Sequence, residues 1–433
     1  MSFPRYPSYK DSGVEWLGEV PGHWDVTLSK RFLTVQSGDM INSSEEMEIG
    51  YPLIGGNGIR AYTNKSNTSG DTLVIGRVGA KCGCVHHINE DFWASEHAFR
   101  VIEKQPLSKR FFFHLLSAIE LNKFAIKTAQ PLLNTEIVET QWISVPPLRE
   151  QTQIAAFLDR ETAKIDALVA EQRRLMELLK EKRQAVISHA VTKGLNPNAP
   201  MKPSGIEWLG DVPEHWETTT VKRLVATFEQ GWSPQCEGFP VENEKQWGVL
   251  KVGCVNGGTF KPEENKALPP ELEPIPSLGI AMNDLLISRA NTRELVGGAA
   301  VARQNYANLL LCDKLYRLRF SHGVCDAEFI ALYLSTGMAR GQIELAATGA
   351  SSSMVNIAQS TILEMELALP EFQEQQLIVT FLKLESARFD TLNTESQHAI
   401  DLLQERRTAL ISAAITGQID VRDRQADQPL QCT

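Results

Sequence analysis

Between Arg60 and Lys81, four basic side chains stand against one acidic side chain, Asp71, in a stretch rich in glycine and asparagine. Lysine and arginine hold phosphates, and together with asparagine they read the edges of bases. This stretch therefore offers recognition of a polyanion rather than bond-making chemistry. Its candidate residues are Asn57, Arg60, Lys65, Arg77 and Lys81.

Residues of the same types recur elsewhere in the chain. ISRANTRE, residues 287–294, repeats the basic and amide pattern, and the Gly/Ser-rich TGASSSMVN, residues 348–356, could offer backbone amides and hydroxyls to phosphates. Each of these arginines could instead be a solvated or ion-paired surface residue. The further candidates are Lys30, Arg31, Asn134, Lys222, Arg223, Arg289, Asn291, Arg293, Ser351, Ser352 and Asn356.

The overall charge limits how a polyanion could be bound. The formal net charge of the 433 residues is −10, so bulk positive charge cannot hold nucleic acid, and local patches or a partner must do so. No run reaches the roughly 18 apolar residues of a membrane span, and residues 1–13 lack the apolar core that is typical of a signal peptide. We expect a cytoplasmic protein without a membrane partner. Its seven cysteines are expected to be reduced and mostly buried.

Motifs for catalysis are missing from the sequence. There is no phosphate-binding G-x-x-x-x-G-K-[ST] loop and no Asn/Asp-Pro-Pro-aromatic segment. Glu264 and Lys266 match only a fragment of a nuclease motif, and His86 and His87 lack a third metal ligand. We expect no catalytic residue, no metal site and no cofactor bound by this chain.

A thirteen-residue phrase occurs twice. SGVEWLGEVPGHW occupies residues 12–24 and SGIEWLGDVPEHW occupies residues 204–216, and ten of the thirteen positions are identical. An internal repeat of this kind decides the architecture of the chain. Each copy holds a proline-fixed turn near two tryptophans, so we expect the phrase to pack a globule against a shared element rather than to read bases.

A second block repeats at a different offset. The segments that end at Leu195 and Ile419 align with a shift of 224, and apolar residues recur in both at the 4-3 spacing of a coiled coil. Residues 150–193 contain no Pro or Gly, so a helix there could run about 65 Å at 1.5 Å per residue. We expect coiled-coil and partner-docking contacts from Ile154, Leu158, Ile165, Leu168, Leu175, Leu179, Ile378, Leu382, Phe389, Leu392, Leu403 and Leu410.

Charged residues interrupt the apolar spacing and predict an orientation. In an antiparallel pair Glu161 would face Arg406, and Lys182 would face Glu385. A parallel pair would bring like charges together, which is disfavoured where water is excluded. We therefore predict an antiparallel intramolecular pair. The alternative is that each helix packs only on its own globule.

The regions between the repeated blocks, residues 25–145 and 217–369, are related more weakly. LVIGR resembles LLISR, SEHAFRV resembles CDKLYRL, and FFFHLLS resembles FIALYLS. Alternating runs at 51–64 and 247–260 predict strands joined by turns, and helical spacing predicts one helix in each of 107–126 and 326–347. We therefore expect one mixed fold with two different surfaces.

The predicted fold class is α+β, with two similar mixed α/β domains separated by two long helices that form an antiparallel coiled coil in a pseudo-twofold symmetric chain. The expected divisions are a first domain at 1–146, a helix at 147–195, a linker at 196–203, a second domain at 204–370, a helix at 371–420 and a flexible tail at 421–433.

The repeated order of phrase, variable region and long helix, with EWLGEVPGHW, PPLREQ and SHAVTKGL, resembles the specificity subunit of Type I restriction-modification enzymes. The resemblance covers about residues 8–420. It implies that the two mixed domains are target recognition domains, each reading half of a split double-stranded DNA target, and that the chain itself is not catalytic.

The same resemblance implies partners. The helices would dock two modification subunits, which use S-adenosylmethionine to methylate adenine N6, and restriction subunits, which would make the complex an ATP- and Mg-dependent endonuclease. Two alternatives remain open at this point. The chain could serve a methylation-only phage-defence system, or it could be a two-headed protein scaffold that binds no DNA.

Overall fold

The structure, a computed structural model, describes residues 3–127, 129–243, 245–351 and 354–422. The chain divides into two compact units, of which unit 1 comprises residues 1–173 and 397–433 and unit 2 comprises residues 174–396. The divisions fall inside both long helices. Each unit therefore contains one variable region and a segment of each helix, and we call residues 25–145 the first head and residues 217–369 the second head.

The elements up to the end of the first long helix are β1 (Tyr9–Asp11), β2 (Glu19–Pro21), β3 (Asp25–Leu28), β4 (Leu33–Ser37), β5 (Tyr51–Gly55), β6 (Gly58–Thr63), β7 (Thr72–Gly76), β8 (Val85–Ile88), β9 (Trp93–Ala94), β10 (Ala98–Glu103), α1 (Lys109–Ile119), α2 (Thr135–Glu139), β11 (Trp142–Val145) and α3 (Leu148–Lys193). Short 3-10 turns lie at Ser29–Arg31, Ser43–Glu45 and Leu121–Phe124.

The remaining elements are β12 (Met201–Pro203), β13 (Asp211–Pro213), β14 (Glu217–Thr220), α4 (Val221–Leu224), β15 (Val225–Gln230), β16 (Gly248–Leu250), β17 (Asn265–Ala267), β18 (Gly279–Ile280), β19 (Leu285–Ser288), β20 (Ala290–Asn291), β21 (Ala299–Val301), β22 (Tyr306–Leu310), β23 (Leu315–Phe320), α5 (Ala327–Leu334), α6 (Gly337–Ala346), β24 (Thr348–Ser351), β25 (Met354–Asn356), α7 (Gln359–Leu363), β26 (Glu366–Leu369) and α8 (Phe372–Ile415). Further 3-10 turns lie at Val252–Val255 and Pro276–Leu278.

Both heads are built on the same four-stranded antiparallel sheet. Its order is β4-β10-β7-β8 in the first head and β15-β23-β19-β21 in the second. The central strands β7 and β19 are runs of apolar residues that are buried on both faces. One side packs with the helix that follows, α1 or α5, into the main core of its unit. The prediction of one mixed fold written twice is thus confirmed.

A second sheet in each head also has a common part. Strands β6-β5-β9 and β17-β16-β22 each combine an antiparallel pair with a parallel pair. The connection differs, because only Gly56 and Asn57 join β5 to β6, whereas residues 251–264 join β16 to β17. The strand prediction for 247–260 therefore holds only for its first residues. The helix predicted at 326–347 is in fact two helices, α5 and α6, separated at Ser335 and Thr336.

The repeated phrase packs at the ends of the long helices. Trp24 and Trp216 are fully buried, and each phrase forms a small hairpin, β1-β2 or β12-β13. In unit 1, Gly417 ends α8 with a positive φ of 72° and lies so close to Pro21 that a β-carbon would come within 2.3 Å of the proline ring. Gly194 ends α3 beside Trp216 in unit 2. The structural role expected of the phrase is therefore seen twice.

The start of each long helix carries a second repeated contact. His23 Nε2 lies 2.8 Å from Glu150, and His215 Nε2 lies 2.8 Å from Glu374. Because each phrase contacts the end of one helix and the start of the other, it holds the two helix segments of its unit in opposite directions.

A buried glutamine follows at the same place in both units. The Oε1 atoms of Gln151 and Gln375 accept hydrogen bonds from the backbone N–H groups of Ser108 and Asp326, which are the N-caps of α1 and α5. Their Nε2 groups donate to Pro146 and Pro370 carbonyl oxygens. Each glutamine thus joins the head to its long helix through hydrogen bonds that satisfy its buried amide.

Within each unit the two helix segments are antiparallel, as predicted. Arg407 of α8 bonds Asp166 of α3 at 3.0 Å in unit 1, and Arg183 of α3 bonds Asp390 of α8 at 2.6 Å in unit 2. These are the same two positions of the repeat, since 166 corresponds to 390 and 183 to 407. The orientation was correctly predicted.

The predicted ion pairs themselves were wrong. Glu161 pairs with Arg160 and Lys164 on its own helix, and Glu385 pairs with Arg388. The arginines that do cross between helices, Arg183 and Arg407, each lie one residue beyond the predicted basic position. The face that each helix presents to the other is therefore displaced by one residue from the predicted face.

Some of the predicted apolar contacts are displaced in the same way, by one residue along the helix. Ile154, Leu158, Ile165, Leu179, Ile378, Leu382 and Phe389 are buried, and Leu403 and Leu410 are half-buried, whereas Leu168, Leu175 and Leu392 are exposed. Their places are taken by Val169, Met176 and Asn393, which are half-buried. Residues three and four positions from a core residue lie on either side of one helix face, so spacing alone did not decide which of them the partner helix covers.

Candidate nucleic-acid interface

The tip of the β5-β6 hairpin presents Asn57 to solvent. Leu53 and Ile54 on β5 are buried, and the strand ends in a two-residue turn that lifts Asn57 away from the sheet. Among the residues that the structure describes, the Asn57 amide has no hydrogen-bond partner. An unpartnered amide offers both a donor and an acceptor, the pair that can read an adenine edge.

Two of the predicted basic residues are paired with acids from a distant stretch. Arg60 bonds Glu46 at 2.9 Å, and Lys65 bonds Glu45 at 2.5 Å while lying over the ring of Trp93. The hydrogen bond from Lys65 lowers the pKa of Glu45. The two ion pairs largely cancel the local positive charge counted along the sequence.

Arg77 and Arg289 occupy equivalent positions and turn inward. The Arg77 guanidinium donates to Ser37 Oγ and to the Glu96 carbonyl oxygen, both at 3.2 Å, and lies over Phe99. Arg289 donates to the Asp313 carbonyl oxygen at 3.3 Å. Glu96 and Asp313 match in the repeat. Both arginines therefore hold the segment that leads into the central strand, β10 in the first head and β23 in the second. In this structure they support the surface of the head from its inner side.

The remaining candidates of the first head are dispersed. Lys30 and Arg31 are exposed in the turn after β3, and Lys222 and Arg223 hold the matching positions in α4 of the second head. Asn134 caps α2 by accepting a hydrogen bond from the Ile137 N–H at 2.8 Å. Its carbonyl oxygen is thus already used in stabilising the helix.

In the second head the structure brings three candidates to one small sheet. Strand β20 carries Asn291, β25 carries Asn356 and β24 ends at Ser351. Asn291 contacts Asn256 Oδ1 at 3.3 Å, and Arg293 donates to the Glu344 carbonyl oxygen at 2.9 Å. The predicted residue Ser352 lies outside the described residues.

A recess of about 330 Å³ lies in the first head between the hairpin tip and the loop after β7. Its polar side chains are Asn57, Lys81, His97 and Gln130, and backbone at 56 and 78–80 completes its wall. Lys81 is exposed, and its ammonium has no hydrogen bond or ion pair among the described residues. Of the four, only Asn57 and Lys81 were predicted from the sequence.

The two residues missed by the sequence reasoning gave little local signal. His97 lies in SEHAFRV, where the second copy has Lys314, so the variation between the copies was a usable hint. Its Nδ1 lies 3.6 Å from Glu96. Gln130 lies in a loop that has no pattern of its own, and only the fold brings it to the recess.

Four of the exposed leucines of the helices occupy two pairs of matching positions in the repeat. Leu168 and Leu402 of unit 1 are 46% and 51% exposed, and Leu392 and Leu178 of unit 2 are each 43% exposed. Position 168 corresponds to 392 and position 178 to 402 in the repeat. The same two sites of the helical repeat thus leave apolar surface open in both units.

Among the described residues no group of three or more His, Cys, Asp or Glu side chains is arranged to hold a metal ion. No helix in the described part of the chain is long and apolar enough to cross a membrane.

Comparison with known proteins finds a family model that matches part of the chain, and several similar relatives. Residues 21–176 match the model of the Type I restriction modification DNA specificity domain. Over 240 residues the chain is 28% identical to the Type I restriction enzyme EcoEI specificity subunit of Escherichia coli, covering 55% of this chain and 40% of that protein. Over 153 residues it is 35% identical to the EcoprrI specificity subunit of Escherichia coli, covering 35% of this chain and 37% of that protein.

The chain thus matches less than half the length of these two relatives. Two solved structures share its fold. A chain from a structure of Type I restriction-modification assembly has a TM-score of 0.62 at 15% identity, covering 92% of this chain and 98% of its own. The HsdS subunit from Thermoanaerobacter tengcongensis has a TM-score of 0.51 at 14% identity, with the same coverages of 92% and 98%.

The fold defines a class of protein in which two mixed α/β domains are combined with two long helices. Over residues 21–176 the chain is similar to the Type I restriction modification DNA specificity domain, and the similarity to specificity subunits that its repeated phrase and helices indicated is confirmed.

Proposed function

We propose that this chain is the DNA-recognition subunit of a Type I restriction-modification complex, and that each unit reads one half of a bipartite target. The proposal rests on a comparison of the two units, which share some parts of the repeated structure and differ in others. The central sheet and the buried glutamine that joins head to helix are the same in both units, while the loops around β5-β6 and β16-β17 differ. Two unlike surfaces on one framework suit two different half-sites.

We further propose that the bases between the half-sites are not read. The helices α3 and α8 have 46 and 44 residues, each uninterrupted, and a continuous helix keeps a fixed rise of about 1.5 Å per residue. Dimeric DNA readers set half-site spacing by geometry in the same manner. The length of the helices would then determine the length of the spacer.

We propose that this chain alone does not provide the affinity of the complex for DNA. The net charge is −10, and Arg60 and Lys65 are paired with carboxylates. Phosphate neutralisation usually supplies much of the affinity for DNA. We therefore propose that partner subunits supply much of the phosphate contact, while this chain supplies the sequence preference.

The exposed leucines are the proposed docking sites for these partners. One site lies in each unit, formed by Leu168 and Leu402 in unit 1 and by Leu392 and Leu178 in unit 2. Exposed apolar surface of this kind on a helix pair is typical of helix-to-helix association. Two equivalent sites suit two modification subunits, which would bring S-adenosylmethionine, and restriction subunits would bring ATP and Mg.

Selection from random duplexes tests the recognition proposal. The chain, assembled with its modification subunits, should enrich a motif of two short specific segments separated by a spacer of fixed length. Deleting seven residues at matched places in α3 and α8 should shorten the spacer and leave both half-sites unchanged. Enrichment of one uninterrupted motif would contradict the bipartite reading, and a scaffold would enrich no motif.

Substitutions on the helices test the docking proposal. Leu168→Asp with Leu402→Asp should weaken capture of one modification subunit, and adding Leu392→Asp with Leu178→Asp should abolish capture of both. Ala163→Asp and Ala387→Asp, at exposed and mutually equivalent positions, are the matched controls. Unchanged stoichiometry of the purified complex in the four-leucine variant would exclude this surface.

A further inference from the structure

We propose that the recess of the first head is a base-reading subsite, in which Asn57 reads one base edge and Lys81 holds the neighbouring phosphate. The inference rests on the proposed function and names the residues that carry one part of it. The recess lies between the hairpin tip and the loop after β7, with a volume of about 330 Å³.

The first argument is the availability of the side chains. Asn57 and Lys81 have no side-chain partner among the residues that the structure describes. By contrast, Asn67 already donates to Asp39 and to the Ala94 carbonyl oxygen, and Arg60 is ion-paired. A free amide and a free ammonium on one recess can pay the desolvation cost of a DNA contact without first breaking an internal bond.

The second argument is the rigidity of the frame around them. A β-carbon at position 56 would lie 2.4 Å from the Val78 carbonyl oxygen, and one at position 76 would lie 2.0 Å from the Gly56 carbonyl oxygen. The two glycines therefore allow the hairpin tip to press directly on the backbone at the end of β7. Base reading needs donors and acceptors carried on a well-positioned backbone, and this contact holds the backbone on which Asn57 lies.

Arg77 adds support from below. Its guanidinium donates to the Glu96 carbonyl oxygen at 3.2 Å, and its backbone N–H donates to the His97 carbonyl oxygen at 2.8 Å. The His97 side of the recess is therefore tied to the same strand end that carries the loop to Lys81. Arg77 is accordingly a positioning residue of this subsite rather than a base reader.

The third argument is that the site belongs to one head only. In the second head residues 251–264 replace the two-residue turn of Gly56 and Asn57, and Lys314 replaces His97. The arginine brace is kept, while the reading side chains are not. A change at Asn57 should therefore alter one half of the target and leave the other half intact.

The chemistry of the two side chains predicts different effects. An asparagine amide bonds adenine N6 and N7 together, so its loss costs discrimination at one base. A lysine on a phosphate contributes to all sequences alike and to the salt dependence of binding. The two roles can therefore be distinguished, because loss of Asn57 removes discrimination at one base and loss of Lys81 weakens binding to every sequence.

The test is selection from random duplexes by the full chain assembled with its modification subunits. Asn57→Ala should lose the preference at one position of one half-site, with a fall of about 5- to 150-fold in affinity for the original motif. Asn57→Asp should shift that position towards cytosine, whose N4 amino group donates to a carboxylate. Lys81→Ala should keep the motif, weaken binding to every sequence and lower the salt slope by about 1.

Asn64→Ala and Lys104→Ala are the controls, since both residues are exposed on the same head and lie outside the recess. Unlike Lys81, Lys104 donates a hydrogen bond to the Lys30 carbonyl oxygen at 3.0 Å. If Asn57→Ala and Asn57→Asp select the wild-type motif with the affinity of these controls, the subsite assignment is wrong. Loss of both half-sites in Asn57→Ala would also overturn it. A wild-type complex that enriches no motif would instead refute the proposed function itself.

Discussion

The two units join head to helix with the same buried glutamine and, beside it, with opposite charges. In unit 1, Arg110 of α1 forms a two-pronged ion pair with Asp159 of α3, at 3.0 and 2.5 Å. In unit 2 the matching residues are Glu328 of α5 and Lys383 of α8, and they are also paired. The positive charge of the ion pair thus lies on the head in unit 1 and on the long helix in unit 2, although the paired positions are equivalent.

This inversion gives each head a preference for its own helix. If the first head met α8, Arg110 would face Lys383, and the second head on α3 would place Glu328 against Asp159. Like charges brought together are disfavoured. A duplicated chain can pair its halves wrongly, and the inverted charges work against that error.

The phrase shows a smaller difference between the units. Trp24 Nε1 donates to Glu150 at 3.0 Å, whereas Trp216 Nε1 is buried without a hydrogen-bond partner among the described residues. Packing of the tryptophan is therefore common to both units, and the added polar contact belongs to unit 1.

Substitution of the tryptophans should have the largest effect. Trp24→Phe should lower the free energy of unfolding by about 3 kcal/mol, because contact area is lost and the buried Glu150 loses a donor. Trp216→Phe should cost about 1 to 2 kcal/mol less, since no hydrogen bond is broken. Chemical denaturation measures both, and hydrogen exchange assigns the change to a unit. Equal losses would refute the contrast.

Reversal of the junction charges should have an intermediate effect. Glu328→Arg alone and Lys383→Asp alone should each destabilise by about 1 to 2 kcal/mol, because like charges then meet at the junction. The double variant should recover most of the loss, giving a favourable coupling of about 1 kcal/mol. Recovery should fall short by about 0.5 kcal/mol, since an arginine in the first turn of α5 opposes the helix dipole. Additive losses in the denaturation cycle would show that the pair is uncoupled.

A pH dependence confined to unit 1 should be the smallest effect. His114 lies 2.8 Å from Asp159, and burial lowers the pKa of His114 despite that carboxylate. The folded state therefore binds the proton less well than the unfolded state, whose pKa is about 6.5. The stabilisation is present above pH 6.5 and is lost as the pH falls below that value.

The second head provides the control for this dependence, because Leu332 stands where the first head has His114. Between pH 7.5 and 5.5, hydrogen exchange should quicken over residues 109–119 and stay unchanged, after correction for the intrinsic rate, over residues 327–334. His114→Gln should remove the difference. An equal response of α1 and α5 would show that the histidine is not its source.

The helices show what spacing in the sequence could and could not supply. Leu158, Ile165 and Leu179 are buried as expected, but Leu168 is exposed and Val169 is covered instead. The choice between such neighbours depends on the side from which the other helix approaches, and that information is held by residues far away in the chain. The direction of the helices was predicted correctly, but from charge pairs that do not form, since Glu161 and Glu385 pair within their own helices.

The candidate interface shows the same limit for charge. Counting residues along the chain made 60–81 a basic stretch. Glu45 and Glu46 fold onto Lys65 and Arg60 and cancel them, and Arg77 turns inward. Of the basic residues in this stretch, Lys81 is the one whose charge the described structure leaves open.

By itself the sequence determined that one fold occurs twice and that two long helices accompany it, since repeats and apolar periodicity are local patterns that survive in one dimension. Only the tertiary structure decided which face of each helix is covered and which basic residues are already paired. It also brought Asn57, Lys81 and His97 to one recess. The reason is physical: a pairing or a pocket depends on residues distant in the chain, whose approach is set by packing and not by spacing.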